Sequence, residues 1–153
     1  MDLDALLVEL GRRLGVESLG LDEHGVCRLV FDKKLVVDLE PTDDRKHLHV
    51  TAVVGVVPPD AGPQFFRKLL AASFVGQETG GAAFAVDELN GEIVLWQRVA
   101  LDALDIVGFT QDLDEFVNRL DLWIGRLESA DAADAANGPR TEGLIPPGVG
   151  IRA

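Results

Sequence analysis

Cysteine, serine and histidine are scarce in this chain, and their scarcity removes most routes to chemistry. Cys27 is the only cysteine among 153 residues, so no internal disulfide can form. That suits a reducing compartment. Three serines occur, Ser18, Ser73 and Ser129, and none stands in the turn that exposes a nucleophile above a sheet. The histidines are His24, His47 and His49. A zinc site needs three or four ligands around one point. His47 and His49 share one face of a strand while Leu48 and Val50 form the apolar row, so the pair reads as solvent-facing. Cys27 is in register with Leu29 and Phe31 and reads as a small core residue, not an activated nucleophile.

Positive charge is short as well. Lysine and arginine number 14 against 26 aspartates and glutamates, a net charge of −12. An acidic chain lacks the basic face that nucleic acid or an anionic membrane surface requires. No apolar run approaches the length of about 20 residues that spans a bilayer. The segment from Met1 to Gly11 carries Asp2, Asp4 and Glu9 with no early basic residue, so it is not expected to be a signal peptide. The glycine-rich segment Gly76–Gly81 contains Glu78, has no lysine and follows a helix. A phosphate cradle precedes one, so a helix stop and turn is the reading here. The carboxylates lie mostly in turns, without calcium-loop spacing. The expectation is no catalysis, no cofactor and no metal. The acidic surface suits solubility, and it would equally suit a basic or aggregation-prone partner.

What is present is a regular alternation of apolar patterns in a chain that is 47% hydrophobic. Leu3, Leu6, Leu7, Leu10 and Leu14 follow helical spacing, with acidic residues before them, Arg12 and Arg13 near the end and Gly15 beyond; this predicts a helix over 2–14. Cys27–Asp32 and Leu35–Glu40 alternate apolar and polar residues around the turn Asp32-Lys33-Lys34, and a third strand is expected over His47–Val57. Gln64–Val75 reads as a second helix, with Phe65, Phe66, Leu69, Leu70 and Phe74 covering much of its circumference. Ala82–Val86 and Glu92–Ala100 make a hairpin about Asn90-Gly91. Leu101–Gly108 reads as a connection. A last helix is expected over Thr110–Leu127, with the stripe Leu113, Phe116, Val117, Leu120, Trp123, Ile124 and Leu127. The order helix, strands, helix, hairpin, helix is that of an α+β domain with three helices on an antiparallel sheet. It is expected to occupy 1–128, with 129–153, rich in alanine, glycine and proline, as a largely disordered tail.

In that order, the segments Leu6–Gly11 with Leu14-Gly15, Leu21–Cys27, Leu35–Glu40, Val54–Pro58, Phe66–Phe74, Asn90–Trp96 and Phe116–Trp123 resemble the CesT/Tir-type family of type III secretion chaperones. The resemblance covers about 2–127. It implies a cytoplasmic bacterial homodimer that serves virulence. Such a protein binds the N-terminal segment of a secreted effector in extended form and keeps it export-competent without ATP. For the effector-binding patch, surplus apolar residues suggest Leu3, Leu6, Leu7, Leu10, Val30 and Val36. For the dimer interface, Phe65, Phe66, Leu69, Phe74 and Trp96 are expected. The alternative is a regulatory or immunity-like protein that masks a folded partner. A small-molecule enzyme would need a pocket with convergent polar groups, and the sequence offers no such set.

Overall fold

The computed structural model describes residues 2–137, and its elements track these patterns. The leucine stripe winds α1 (Leu3–Leu14), closed by Gly15 in the left-handed conformation at φ 71°. Near its end Glu9 lies 2.6 Å from Arg12 and 3.4 Å from Arg13. The Arg12 hydrogen bond draws that carboxyl down to about 2. The alternating segments form β1 (Cys27–Phe31) and β2 (Leu35–Pro41). Asp32 and Lys33, both at positive φ, turn the chain between them, and Lys34 N–H bonds Phe31 C=O at 3.0 Å. Two positive φ angles give the twist that a two-strand hairpin needs. β3 (His47–Val56), α2 (Pro63–Ala72), β4 (Ala83–Asp87), β5 (Glu92–Ala100) and α3 (Ile106–Asn137) follow.

The five strands make one antiparallel sheet in the order β1-β2-β3-β5-β4. Its inner face carries Leu29, Val37, Leu39, Leu48, Val50 and Leu95, all buried. Against that face lie Leu6, Leu7 and Leu10 of α1 and Phe109, Leu113, Phe116 and Leu120 of α3, in one core cluster. α3 packs on β2 and β3 and touches α1, whereas α2 lies beside β4.

Two helices depart from expectation. α2 stops at Ala72 rather than Val75. Ser73 Oγ donates to Leu69 C=O and accepts the Phe84 N–H, both at 3.0 Å, which ties the end of α2 to the β4 edge. A short 3-10 turn, Phe74–Gly76, follows, with Val75 at φ 46° and ψ 24°. The turn is pinned behind: a Cβ on Gly76 would stand 2.5 Å from Gly81 Cα. α3 begins at Ile106 and not at Thr110. Asp105 Oδ1 accepts the N–H groups of Val107 and Gly108, each at 2.9 Å, so Asp105 caps the helix and Gly108 sits inside its first turn. α3 also runs past Leu127 to Asn137. The first part of the expected tail, Ser129–Asn137, is therefore helical backbone, and 138–153 lie outside the described residues.

The fold makes the α1 leucines structural. Leu10→Ala should lower the unfolding free energy by about 2–5 kcal/mol, the cost of a buried leucine cavity. Val8→Ala, on the exposed side of α1, should change it by less than about 0.5 kcal/mol. Urea unfolding of both variants checks the assignment.

Candidate interaction surfaces

With the helices α1 and α3 on one side, no described helix covers the other face of the sheet. Its residues fall into rows across the strands. Glu40 stands opposite His49, and His49 opposite Arg98. The next row runs Arg28, Asp38, Thr51, Trp96, Ala83 over all five strands. Arg28 closes a two-pronged ion pair on Asp38 with both contacts at 2.7 Å. Beyond it the face turns apolar. Val30 is opposite Val36, and Val53, Val94 and Ala85 are in register on β3, β5 and β4. Val30 is 58% exposed and Trp96 37%; the His49 ring meets Trp96 edge-on at 6.1 Å.

A second apolar surface follows from the break at Ser73. Phe74 is 70% and Val75 75% exposed, and Leu70 one turn earlier is 69% exposed. α2 bears Arg67 and Lys68 but no acidic residue, so this is a stretch free of carboxylates in a strongly acidic chain.

A third feature is a groove of about 1080 Å³ between the β3–α2 loop, α2 and the later part of α3, lined by Pro58, Phe65, Leu69, Trp123, Leu127 and Ala130 among others. Trp123 is set in it by its indole N–H, which bonds Glu78 C=O at 3.0 Å. The Arg126 guanidinium lies 4.8 Å over the Trp123 ring and 3.1 Å from the Glu78 carboxylate.

The residues expected to contact an effector divide between inside and outside. Leu3, Leu6, Leu7 and Leu10 are buried in the chain's own core, so in this structure they offer no surface to a partner: the stripe is what holds α1 in place. Val30 and Val36 are exposed neighbours on the bare face. Of the residues expected at a dimer interface, Leu69 is buried in the core, Phe65 and Phe66 are half-buried and meet edge-on at 5.4 Å, and Phe74 and Trp96 are exposed. Sequence reasoning did not single out Val53, Leu70 or Val75 for a site. Leu70 was legible in the all-round apolar character of its helix; Val75 was not, because its exposure depends on the Gly76–Gly81 contact.

The residues weighed for chemistry have other roles. Cys27 is buried on β1, and burial together with the charges of Asp38 and Asp22 pushes its thiol up to about 11. His47 and His49 are half-buried on the bare side of β3, flanked by buried Leu48 and Val50. Among the described residues no group of three or more His, Cys, Asp or Glu is placed to hold a metal, and no described helix is long and apolar enough to cross a membrane. The Gly76–Gly81 segment is a turn, with Gly76, Gly80 and Gly81 at positive φ.

The described residues thus leave an antiparallel sheet covered by helices on one face, with apolar strips exposed on the other. The comparisons with known proteins are specific. The Tir chaperone protein (CesT) family matches residues 5–123. The chain is 30% identical over 122 residues to the transcriptional anti-antiactivator ExsC of Pseudomonas aeruginosa, covering 79% of this chain and 82% of that one. It is 25% identical over 99 residues to a Tir chaperone of Citrobacter freundii, 65% of this chain and 62% of that one. Among solved structures, the ExsC–ExsE complex superposes with a TM-score of 0.65 at 30% identity, over 81% of this chain and 95% of that one. The HopA1–SchA chaperone–effector complex matches in fold, with a TM-score of 0.66 at 21% identity over 79% and 91%. The chain belongs to the Tir chaperone protein (CesT) family, the type III secretion chaperones. The family is one of chaperones and not of enzymes.

Thiol reactivity tests the placement of β1. At pH 8, Cys27 in the native protein should react with a chromogenic disulfide about 100-fold more slowly than in urea, since a raised pKa leaves little thiolate. Equal rates would mean that β1 is not packed as described.

Proposed function

We propose that this chain works in the bacterial cytoplasm as a homodimer that holds the N-terminal segment of a secreted effector in extended form, soluble and ready for export. Family membership over residues 5–123 supports the chaperone role, and the bare apolar strip of the sheet carries the binding role. An extended segment gains main-chain hydrogen bonds only along a free strand edge or apolar contacts along a groove. The β1 edge lies beside Val30 and Val36, which this reading assigns to effector contact. The leucines of α1 act behind them as core. No ATP is needed, because binding rests on burial of apolar surface.

The dimer interface in this reading lies at the opposite edge. Ser73 joins α2 to β4, and β4 places Ala83 beside Trp96. Phe74, Trp96 and the half-buried Phe65 and Phe66 are then the contacts between copies, with Leu70 and Val75 added. Two chains of net charge −12 repel, and the carboxylate-free α2 is where they can approach.

The relative ExsC is named a transcriptional anti-antiactivator, which favours a second reading: a regulatory protein that masks another protein. Hydrogen exchange on a bound partner separates the two. An effector held as an extended segment stays unprotected beyond the contact strip, whereas a partner masked as a folded domain keeps its own protection pattern.

Two outcomes follow. In sedimentation equilibrium at micromolar concentration the wild type should be dimeric, and the double variant Leu70→Glu, Phe74→Glu should be monomeric with unchanged far-UV circular dichroism; a dimeric variant sinks the interface. Val30→Asp with Val36→Asp should leave the dimer intact and weaken binding of an effector N-terminal segment by at least about tenfold. Undiminished binding would remove the sheet face as the site.

A further inference from the structure

β5 is paired unevenly. On one side it runs against β3 as far as Ala100, which stands opposite His47. On the other side β4 begins only at Ala83, opposite Trp96, after the turn Gly76–Gly81. Residues 97–100 therefore have a neighbouring strand on one side only, an edge of about 13 Å. Two hydrogen bonds fix which groups this edge presents. The Phe84 N–H goes to Ser73 Oγ, away from β5, so Phe84 and Leu95 are a non-hydrogen-bonded pair and Ala83 and Trp96 a hydrogen-bonded one. The Leu101 N–H goes to Lys46 C=O, on the β3 side. Both give the same parity: Arg98 and Ala100 direct their N–H and C=O groups away from β3, into the space past the end of β4. Among the described residues no turn or loop hydrogen bond reaches them there. Such an edge is a template for another strand. No proline interrupts it, and the register shift between β3 and β5 lies at Val53 and Gly55, toward the other end.

The edge opens into a cleft of about 470 Å³ whose lining includes Gly80, Gly81, Gln97, Val99, Asp112 and Glu115. The glycines keep the space open. A Cβ on Gly80 would stand 3.2 Å from Arg119 Cγ, and one on Gly81 would meet nothing within 4 Å. Gln97 and Val99 are half-buried on the helix-bearing side of β5. Asp112 and Glu115, one turn apart on α3, are both exposed, and neither joins an ion pair among the described residues. The Arg98 side chain belongs to the opposite face, in the row of Glu40 and His49, and leaves this acidic wall uncompensated.

The wall selects the occupant. A strand added here turns every second side chain toward α3, at a spacing of about 6.6 Å, close to the ~5–6 Å between side chains one turn apart on a helix. Lysine or arginine at two such positions meets Asp112 and Glu115. A second copy, with net charge −12, is repelled by the same wall.

We propose that the β5 edge at Arg98 and Ala100 takes an extended segment of a partner polypeptide as an added strand, with basic residues two apart facing Asp112 and Glu115. The site lies at the far end of the sheet from β1 and stands whether or not an effector binds there. It uses the main chain of β5 and leaves Trp96 and α2 to the contact between copies.

A short capped peptide of alternating lysine and valine is the probe, with hydrogen exchange of the wild-type protein as the readout. The peptide should slow amide exchange at Arg98 and Ala100 by about tenfold and leave Arg28 and Val30 on β1 unchanged. The same peptide with glutamate for lysine should protect neither. In the double variant Asp112→Lys, Glu115→Lys the preference should reverse, with the glutamate peptide now the one that protects. Absence of protection at Arg98 and Ala100, equal protection by the two peptides, a preference that survives the double variant, or protection confined to β1 overturns the proposal. Protection that rises with protein concentration in the absence of peptide assigns the edge to a second copy and overturns it too.

Discussion

Five antiparallel strands present two faces, and α1 and α3 together cover one. α2 lies beside β4, joined to it by the Ser73–Phe84 hydrogen bond, and among the described residues no helix covers the second face. Everything outside the core follows from that shortage of cover. One part of the bare face is made compatible with water by the Arg28–Asp38 pair and the row Glu40, His49, Arg98. The other part, from Val30 and Val36 on one side to Val53, Val94 and Ala85 on the other, is not. Apolar area left in water has a standing cost of about 25 cal/mol per Å², which a bound polypeptide relieves.

Charge then sorts the surfaces. The chain is acidic overall, and the ion pairs it does form are mostly exposed, such as Lys34–Asp121 and Arg45–Asp4. Exposed pairs add little to stability, so the sheet and its two helices hold together by burial. The uneven placement of carboxylates matters more. Where they are dense, copies repel; where they are missing, on α2 and the turn after it, approach is possible.

The core was legible in the sequence because its periods are clean. Over Cys27–Phe31 and Leu35–Glu40 every second residue is apolar and faces the core side, with only Val30 and Val36 apolar on the other row, and each strand ends within a residue or two of where turn residues place it. What local pattern could not supply was the division of apolar residues between core and surface. Leu3, Leu6, Leu7 and Leu10 form a stripe whether the stripe meets the chain's own sheet or a partner. Only the packing of α1 against the inner face decides it. Val30 and Val36 could be placed outside because they break an otherwise charged row. The ends of α2 and α3 were misjudged for different reasons. Ser73 ends α2 through Phe84, eleven residues on, which no local window contains. Asp105 was a cap in plain view, hidden by reading Leu101–Gly108 as a connection.

α3 has a physical consequence of another kind. Its 32 residues make a rod of about 48 Å, well beyond the core it serves. Among the described side chains of α3, Leu127 is the last packed on that core, and the backbone helix continues for roughly 15 Å more. A body with such a spar tumbles and drags as something larger than its mass. Elution volume and rotational correlation time will therefore both exaggerate its size, and a globular calibration would report more subunits than are there.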